Sequence, residues 1–247
     1  IRPRDWSSDV CSSDLDNPLI HLSQAIEKIG AWETPMRLNE TTRLYFEKLA
    51  TLQTPESATR YRALLDPMRA QSVQAYLAKN EPQHYSMLRT SIVPTMLKAG
   101  VGPNVIPSEA EATFDIRALP DEDMPKLFAE MNRIIGDPAV KVVPITANLR
   151  PVGPPSRLDS EMYRALERVS GRMYPGAPVL PTMMTFATDM AQLRAKGIQS
   201  YGIGPPSTED DLINYGFHSD VERLSETSLY SLAEFTWNVT MDVAQSK

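Results

Sequence analysis

The chain has 247 residues, of which 42% are hydrophobic and 23% are charged, and its formal net charge is −6. This size and composition favour a globular protein with one large domain or two small ones. The acidic balance argues against a nucleic-acid-binding surface, and no apolar run approaches the roughly 18 residues of a membrane helix. We therefore expect neither a nucleic-acid nor a membrane partner, and the compartment, cytoplasmic or periplasmic, is left undetermined because no targeting signal is legible.

The first 15 residues differ in character from the rest of the chain. The run from Asp5 to Leu15 resembles, codon for codon, one reading frame of a widely used sequencing adapter. We expect residues 1–15 to be non-native and the natural protein to begin further upstream; the alternative is an ordinary polar tail. On the first interpretation Cys11, the only cysteine, is not native, and disulfide or thiol chemistry has no support.

Helices are predicted for the next part of the chain. Residues 17–29 place apolar side chains three and four positions apart, with Gly30 as a candidate helix stop. Between Thr41 and Leu88 the pattern predicts further short helices. They are interrupted by three prolines, which remove a backbone donor and clash with the preceding turn: Pro55, Pro67 and Pro82.

The following segment predicts a small sheet with one helix. A strand is expected at 91–97, a turn near Gly100, and a strand at 109–118, whose apolar and polar residues alternate. A helix before Gly136 and a strand at 140–145 complete the order. Together with the helix before it, this order is most of a ferredoxin-like β-α-β-β-α-β unit whose first strand would fall within residues 1–15. We assign residues 16–147 to this domain, with a helical insertion.

A second unit is predicted for residues 148–247, after a proline-rich crossing at 148–157. Helices are expected around Met162 to Met173, at 189–196 and after Ser225, and short strands at 179–180 and 198–203. Strand, helix and strand at this spacing indicate a parallel crossover. The predicted fold class is therefore α/β overall, with an α+β domain followed by an α/β fragment.

Several motifs occur in an order that resembles a known family. They are Gly-Pro-Asn-Val-Ile-Pro at 102–107, Phe-Asp-Ile-Arg at 114–117, Thr-Asp at 188–189, Tyr-Gly-Ile-Gly-Pro at 201–205 and Gly-Phe-His at 216–218. This set resembles the dinuclear-zinc metallopeptidases that include aminoacylase, glutamate carboxypeptidase and succinyl-diaminopimelate desuccinylase. The resemblance implies a lid (dimerisation) domain followed by the C-terminal part of a catalytic domain, and a homodimer formed through the lid.

The resemblance also implies a chemistry. In the family two zinc ions activate a water that attacks an amide carbonyl of a peptide or N-acyl amino acid with a free carboxylate, and a glutamate is the general base. His218 matches the family's terminal metal ligand. The chain has no Glu-Glu pair, so we expect the general base and the other ligands to be missing and the chain alone to be inactive. The alternative is that His218 is a loop histidine hydrogen-bonded near a helix start.

Four further residues match substrate-binding positions of the family. The resemblance implies that Arg117 binds the substrate carboxylate, that Asn104 helps to polarise the scissile amide, and that Thr188 and Asp189 contact substrate. Each has a structural alternative: Asn104 in a turn, Arg117 paired with a neighbouring carboxylate, and the Thr-Asp pair at a helix start. Phe186 and Ala187 stand where the family usually has glycines, which argues against a close backbone approach there.

Two other histidines, His21 and His84, have no partner at metal-ligand spacing, and we expect both to be structural or exposed to solvent. Two other functions are considered. The first is a non-catalytic binding or dimerisation module. The second is a serine hydrolase using Asp189 and His218, but this requires a Gly-x-Ser-x-Gly motif that the sequence lacks.

Overall fold

The structure, a computed structural model, describes residues 16–145, 151, 154–204 and 219–245. In chain order its elements are α1 (Pro18–Ala31), α2 (Glu40–Leu49), α3 (Pro55–Leu64), α4 (Pro67–Asn80), α5 (Pro82–Ser86), β1 (Ser91–Ala99), β2 (Ala110–Arg117), α6 (Met124–Ile135), α7 (Glu161–Met173), α8 (Met190–Ala195) and α9 (Glu226–Gln245). Helices combine with a small antiparallel sheet, in agreement with the predicted α/β class. None of the helices in the described ranges has the length and apolarity that crossing a bilayer requires.

The chain divides into two compact units. The first comprises residues 1–37 and 76–149, and the second comprises residues 38–75 and 150–247. The division falls within α4, so most of the segment that we expected to be an insertion in the first domain is grouped with the second unit. The predicted limits of 16–147 and 148–247 stay a prediction.

Local signals fix the two long helices of the first unit. Asn17 caps α1 by accepting a 3.0 Å hydrogen bond from the amide of Leu19, and Asp123 caps α6 through the amide of Lys126 at 3.1 Å. Gly136 ends α6 in the left-handed region, at φ 59°. Gly30, predicted to stop α1, instead lies inside that helix, which runs to Ala31. The two helices pack through one core cluster: Ala25, Ile29, Met131 and Ile135.

The sheet of the first unit is an antiparallel hairpin of β1 and β2. Its register pairs Ser91 with Arg117 and Ala99 with Ala110, and an irregularity follows Pro94, whose nitrogen cannot donate to a ladder. Alternation in β2 turns one face toward the helices, as predicted. The side chains packed there against the α1–α6 core include Ile92, Phe114 and Ile116.

The strand predicted at 140–145 is not observed. Val140 and Val142 pack against the α1–α6 core, whereas Val143 and Ile145 are exposed, and the strand prediction is wrong. A strand requires a ladder partner, and in a β-α-β-β-α-β unit the last strand pairs with the first. The place predicted for that first strand, residues 1–15, lies outside the described residues.

The predicted strands at 179–180 and 198–203 are also wrong, since neither segment is a strand in the structure. The backbone of Ser200 is hydrogen-bonded to the side chain of Ser156 and not to a neighbouring strand. The Ser200 amide donates to the hydroxyl oxygen of Ser156 at 3.0 Å, and the Ser156 hydroxyl donates to the Ser200 carbonyl at 2.7 Å. Because these backbone groups are bonded to a serine, they are not engaged in the predicted crossover.

The remaining helices follow the predicted pattern. α3, α4 and α5 begin at the three prolines that were expected to interrupt helices. α7 and α9 pack through Ala165, Val169 and Val239, on the faces that the apolar spacing predicted. Beside this core, the carboxylate of Asp242 on α9 accepts hydrogen bonds from two arginines of α7. They are Arg168 and Arg172, the latter at 2.9 Å.

Candidate functional site

Asn104 lies in the exposed loop that joins β1 to β2. Gly100 begins this loop in the left-handed region, at φ 77°, and the amide of Val105 approaches the Gly102 carbonyl at 3.4 Å. The backbone therefore places Asn104 in a turn, as its structural interpretation expected. Its apolar neighbours are also exposed, with Val101 at 87% and Val105 at 51% of full accessibility.

Arg117 is the last residue of β2, at the end of the hairpin far from the Asn104 loop. β2 has eight residues, which at about 3.3 Å each span roughly 25 Å. The Nε of Arg117 donates to Oδ2 of Asp115 at 3.0 Å, and its side chain is 63% exposed. An exposed ion pair of this kind contributes little to stability.

Thr188 and Asp189 lie at the start of α8, in the second unit. Asp189, and not Thr188, occupies the N-cap position, so α8 begins one residue later than a cap at Thr188 would place it, and Asp189 makes no side-chain capping bond. Its backbone carbonyl accepts from the amide of Gln192 at 3.0 Å. The side chain of Asp189 is thus exposed beside a short helix and not used to cap it.

His218, the predicted zinc ligand, lies outside the described residues. Within the ranges that the structure describes, no group of three or more His, Cys, Asp or Glu side chains could hold a metal ion. The described residues therefore do not form a zinc site, and we derive no chemical step through a metal.

The other two histidines do have carboxylate partners. His84 bonds to Glu81 at 2.6 Å, one turn earlier in the chain, and His21 bonds to Asp16 and to the sequence-distant Asp137. Their structural role stays a prediction. The partner Asp137 could not be found from the sequence, because no spacing signal connects a residue on α1 with one that follows α6.

A second group missed by sequence analysis surrounds the start of α7. Tyr201 bonds through its hydroxyl to the Ser160 hydroxyl at 2.5 Å and to the Arg157 carbonyl. The neighbouring Tyr163 is only 5% exposed, and its hydroxyl has no hydrogen-bond partner among the described residues. Burial, with the charge of Glu167 as a smaller cause, raises the pKa of Tyr163 to about 12.

Comparison with known proteins identifies the family. Residues 12–143, more than half of the chain, match the model of the M20 peptidase dimerisation domain. The chain belongs to the M20 peptidase family. The resemblance found in the sequence is thereby confirmed, and with it a hydrolase family of metallopeptidase and aminoacylase type. This family implies a metal cofactor, typically zinc.

Curated M20 relatives match over part of their length. "Probable carboxypeptidase S-like 2" of Dictyostelium discoideum is 29% identical over 169 residues, covering 68% of this chain and 31% of that protein. Aminoacylase-1 of Homo sapiens is 31% identical over 140 residues, covering 56% of this chain and 33% of that protein. The chain thus spans about a third of the length of these relatives.

A solved structure shares the fold. The M20 family metallo-carboxypeptidase Sso-CP2 from Sulfolobus solfataricus superposes with a TM-score of 0.54 at 16% sequence identity. The match covers 94% of this chain and 54% of the Sulfolobus chain. At this identity the similarity concerns the fold alone.

Proposed function

We propose that this chain is part of a zinc-dependent hydrolase that cleaves an amide bond in a peptide or N-acyl amino acid bearing a free carboxylate. The observation that carries the proposal is the match of residues 12–143 to the M20 peptidase dimerisation domain. The relatives named for carboxypeptidase and aminoacylase support the same class of reaction.

Within this proposal each matching residue has a role. Arg117 binds the substrate carboxylate with the donors of its guanidinium, which its 63% exposure permits. Asn104 helps to polarise the scissile carbonyl from the exposed hairpin loop. Thr188 and Asp189 contact the substrate, and His218 is one zinc ligand. The general base and the remaining ligands lie outside these 247 residues, because the sequence offers no Glu-Glu pair for them.

The test compares the 247-residue chain with the longest natural protein that contains it. Both are supplied with zinc and assayed for hydrolysis of N-acetyl-L-amino acids and of dipeptides. We expect hydrolysis by the longer protein and none by the chain alone. Hydrolysis by the chain alone would contradict the missing base, and no hydrolysis by either would contradict the proposed reaction.

Arg117 provides a sharper test in the longer protein. Arg117→Lys keeps the charge but loses the planar pair of donors, so KM for carboxylate substrates should rise about 10-fold or more. Substrates whose carboxylate is amidated should show no such change. Arg133→Lys is the matched control, because Arg133 forms an exposed pair with Glu130 on α6 and has no proposed contact with substrate. Equal changes in KM for both substrate types would contradict the proposal that Arg117 binds the carboxylate.

The chain carries a dimerisation domain, and we propose that it forms a homodimer through the β1–β2 hairpin. A two-stranded sheet has unpaired edges, and β1 exposes large apolar side chains, with Met96 and Leu97 each 68% exposed. Leu97→Lys should lower the dimer fraction measured by light scattering, whereas Val143→Lys, at another exposed apolar position, should not. A monomeric wild-type chain would contradict this interface.

The exposed hairpin also supports a second candidate, a non-catalytic dimerisation module. The two candidates differ in one measurement on the longer protein. A dimer that binds neither zinc nor N-acetyl amino acids by calorimetry would favour the module, and hydrolysis would exclude it.

A further inference from the structure

His21 lies in the first unit between two carboxylates that come from different parts of the chain. Its Nδ1 is 2.5 Å from Oδ2 of Asp137, and its Nε2 is 2.9 Å from Oδ1 of Asp16. Asp16 precedes α1, whereas Asp137 directly follows Gly136 at the end of α6. An ionised carboxylate can only accept hydrogen bonds, so both ring nitrogens must donate. The observed geometry is therefore that of a doubly protonated imidazolium.

Lys28 is a second basic group near the contact between His21 and Asp137. The Nζ of Lys28, also on α1, donates to the carbonyl of Ile135 in the last turn of α6, and its charge acts on Asp137. Asp137 is held in addition by the amide of Ala139, which donates to Oδ1 at 2.9 Å. The charged groups described at this contact are His21 and Lys28 on α1, Asp16 before α1, and Asp137 after α6.

Exposure differs between the two carboxylates. The side chain of Asp137 is 18% exposed and that of His21 is 30% exposed, whereas Asp16 is 83% exposed. Solvent screens the Asp16 pair more strongly, so the His21–Asp137 contact makes the larger contribution. It is also the contact that joins two helices, because Asp16 and His21 are close in sequence.

We propose that His21 is a pH-sensitive latch, which fastens the first turn of α1 to the end of α6 while the imidazole is protonated and releases it when the imidazole is neutral. A neutral imidazole has one N–H, so one of the two carboxylates would face a ring lone pair in place of a donor. Loss of the proton therefore leaves one hydrogen bond in place, without the charge of the imidazolium, and turns the other contact into a repulsion between a ring lone pair and a carboxylate.

The direction of the pH response follows from the pKa shifts. The hydrogen bond to Asp137, and then the one to Asp16, raise the pKa of His21 above 6.5, and the bond from His21 lowers the pKa of Asp137 below 3.8. The contribution of His21 is fully present below pH 6.5 and is lost as the pH rises through its raised folded pKa. The contribution of Asp137 is lost only in acid. The latch is therefore closed from mildly acidic to near-neutral pH and opens in alkali.

The latch acts on the helical layer over the sheet. α1 contacts both β1 and β2, and the core beneath it includes Phe114 and Ile116. Opening the latch frees the first turn of α1, while the buried residues Ala25 and Ile29 keep the rest of the helix in place. We thus expect local opening at the start of α1 and not unfolding of the unit.

The experiment uses the full chain. NMR titration of the imidazole signals, assigned with His21→Gln, should give His21 a midpoint above pH 6.5, and Asp137→Asn should move this midpoint down. Hydrogen-exchange protection factors of α1 amides should fall as the pH rises above 6.5 and through the raised folded pKa of His21. In Asp137→Asn this fall should disappear.

His84→Gln is the control, because the pair that His84 forms with Glu81 is local, within one helical turn, and neither residue is on α1 or α6. It should leave the exchange of α1 unchanged at each pH. The proposal is overturned if the midpoint of His21 is at or below 6.5. It is also overturned if α1 protection shows the same pH dependence in wild type and in Asp137→Asn.

Discussion

The backbone amide of Arg37 donates a 2.8 Å hydrogen bond to the carbonyl of Leu88, which closes the chain across the helical segment between them. Next to this bond, Thr90 is 2% exposed and its hydroxyl is bonded to Glu122 and to the amide of Leu119, the latter at 3.1 Å. Arg37 reaches the same Glu122 carboxylate at 3.1 Å. A buried polar network thus joins the segments where the chain leaves and re-enters the first unit.

Because of this network, we expect a large loss of stability when Thr90 is replaced by valine, which has nearly the same shape. Thr90→Val should lower the free energy of unfolding by about 1–3 kcal/mol, because the amide of Leu119 loses its acceptor and the carboxylate of Glu122 loses one of its donors. Urea unfolding followed by circular dichroism measures the change. Thr113→Val, on the outer face of β2, is the control and should change stability by less than about 0.5 kcal/mol. Equal effects would show that the network is not stabilising.

Two neighbouring tyrosines of the second unit, Tyr163 and Tyr201, predict opposite results for the same substitution. Tyr163→Phe should leave stability unchanged or raise it by up to about 1 kcal/mol, because it removes a buried hydroxyl that has no partner in the described structure. Tyr201→Phe should lower it by about 1–2 kcal/mol, because the Ser160 and Arg157 oxygens lose a bond. The centroids of the two rings are 5.9 Å apart, and both substitutions keep the ring, so its packing should change little in either variant. Thermal unfolding of both variants checks the prediction, and a reversed order would contradict it.

Two glycines at helix ends should also respond in opposite directions to alanine. Gly136→Ala should cost about 1 kcal/mol, because Gly136 has φ 59° and a Cβ there is strained. Gly30→Ala should stabilise by up to about 1 kcal/mol, because Gly30 lies inside α1 with no atom within 4 Å of the added methyl. Denaturant midpoints of the two variants provide the measurement. A stabilising effect of Gly136→Ala would contradict the left-handed conformation of Gly136 at the end of α6.

Asp242 predicts a pH-dependent effect in the α7–α9 pair. Hydrogen bonds from Arg168 and then Arg172 lower the pKa of Asp242 below 3.8. Its contribution is therefore present above that value and is lost as the pH falls through the folded pKa. Asp242→Asn should be destabilising at about pH 7, and its difference from wild type should shrink between about pH 7 and about pH 2, as the pH falls toward and through the folded pKa.

Urea midpoints at the two pH values test this prediction. Asp159→Asn is the control, because Asp159 pairs with Arg157 only two residues away and both are exposed. It should have little effect at either pH. A destabilisation by Asp242→Asn that persists unchanged in acid would assign the role of Asp242 to packing and not to charge.

The sequence by itself determined the helices, the hairpin and the family. Caps such as Asn17 and Asp123, the stop at Gly136 and the alternation in β2 act within a few residues, so their patterns are readable without a partner. The order of the motifs around Asn104 and Arg117 was sufficient to indicate the M20 resemblance that the comparison confirmed. The roles of these residues stay a prediction, as does that of His218.

The tertiary structure decided what depends on distant partners. Residues 140–145 have the composition of a strand, yet a strand exists only where a ladder forms; Val140 and Val142 pack against the helices, while Val143 and Ile145 are exposed. His21 meets Asp137 across 116 positions of sequence, and Tyr201 has hydrogen-bond partners, whereas the Tyr163 hydroxyl has none among the described residues. These outcomes are set by which side chains the fold brings together, a non-local property that periodicity and spacing do not encode.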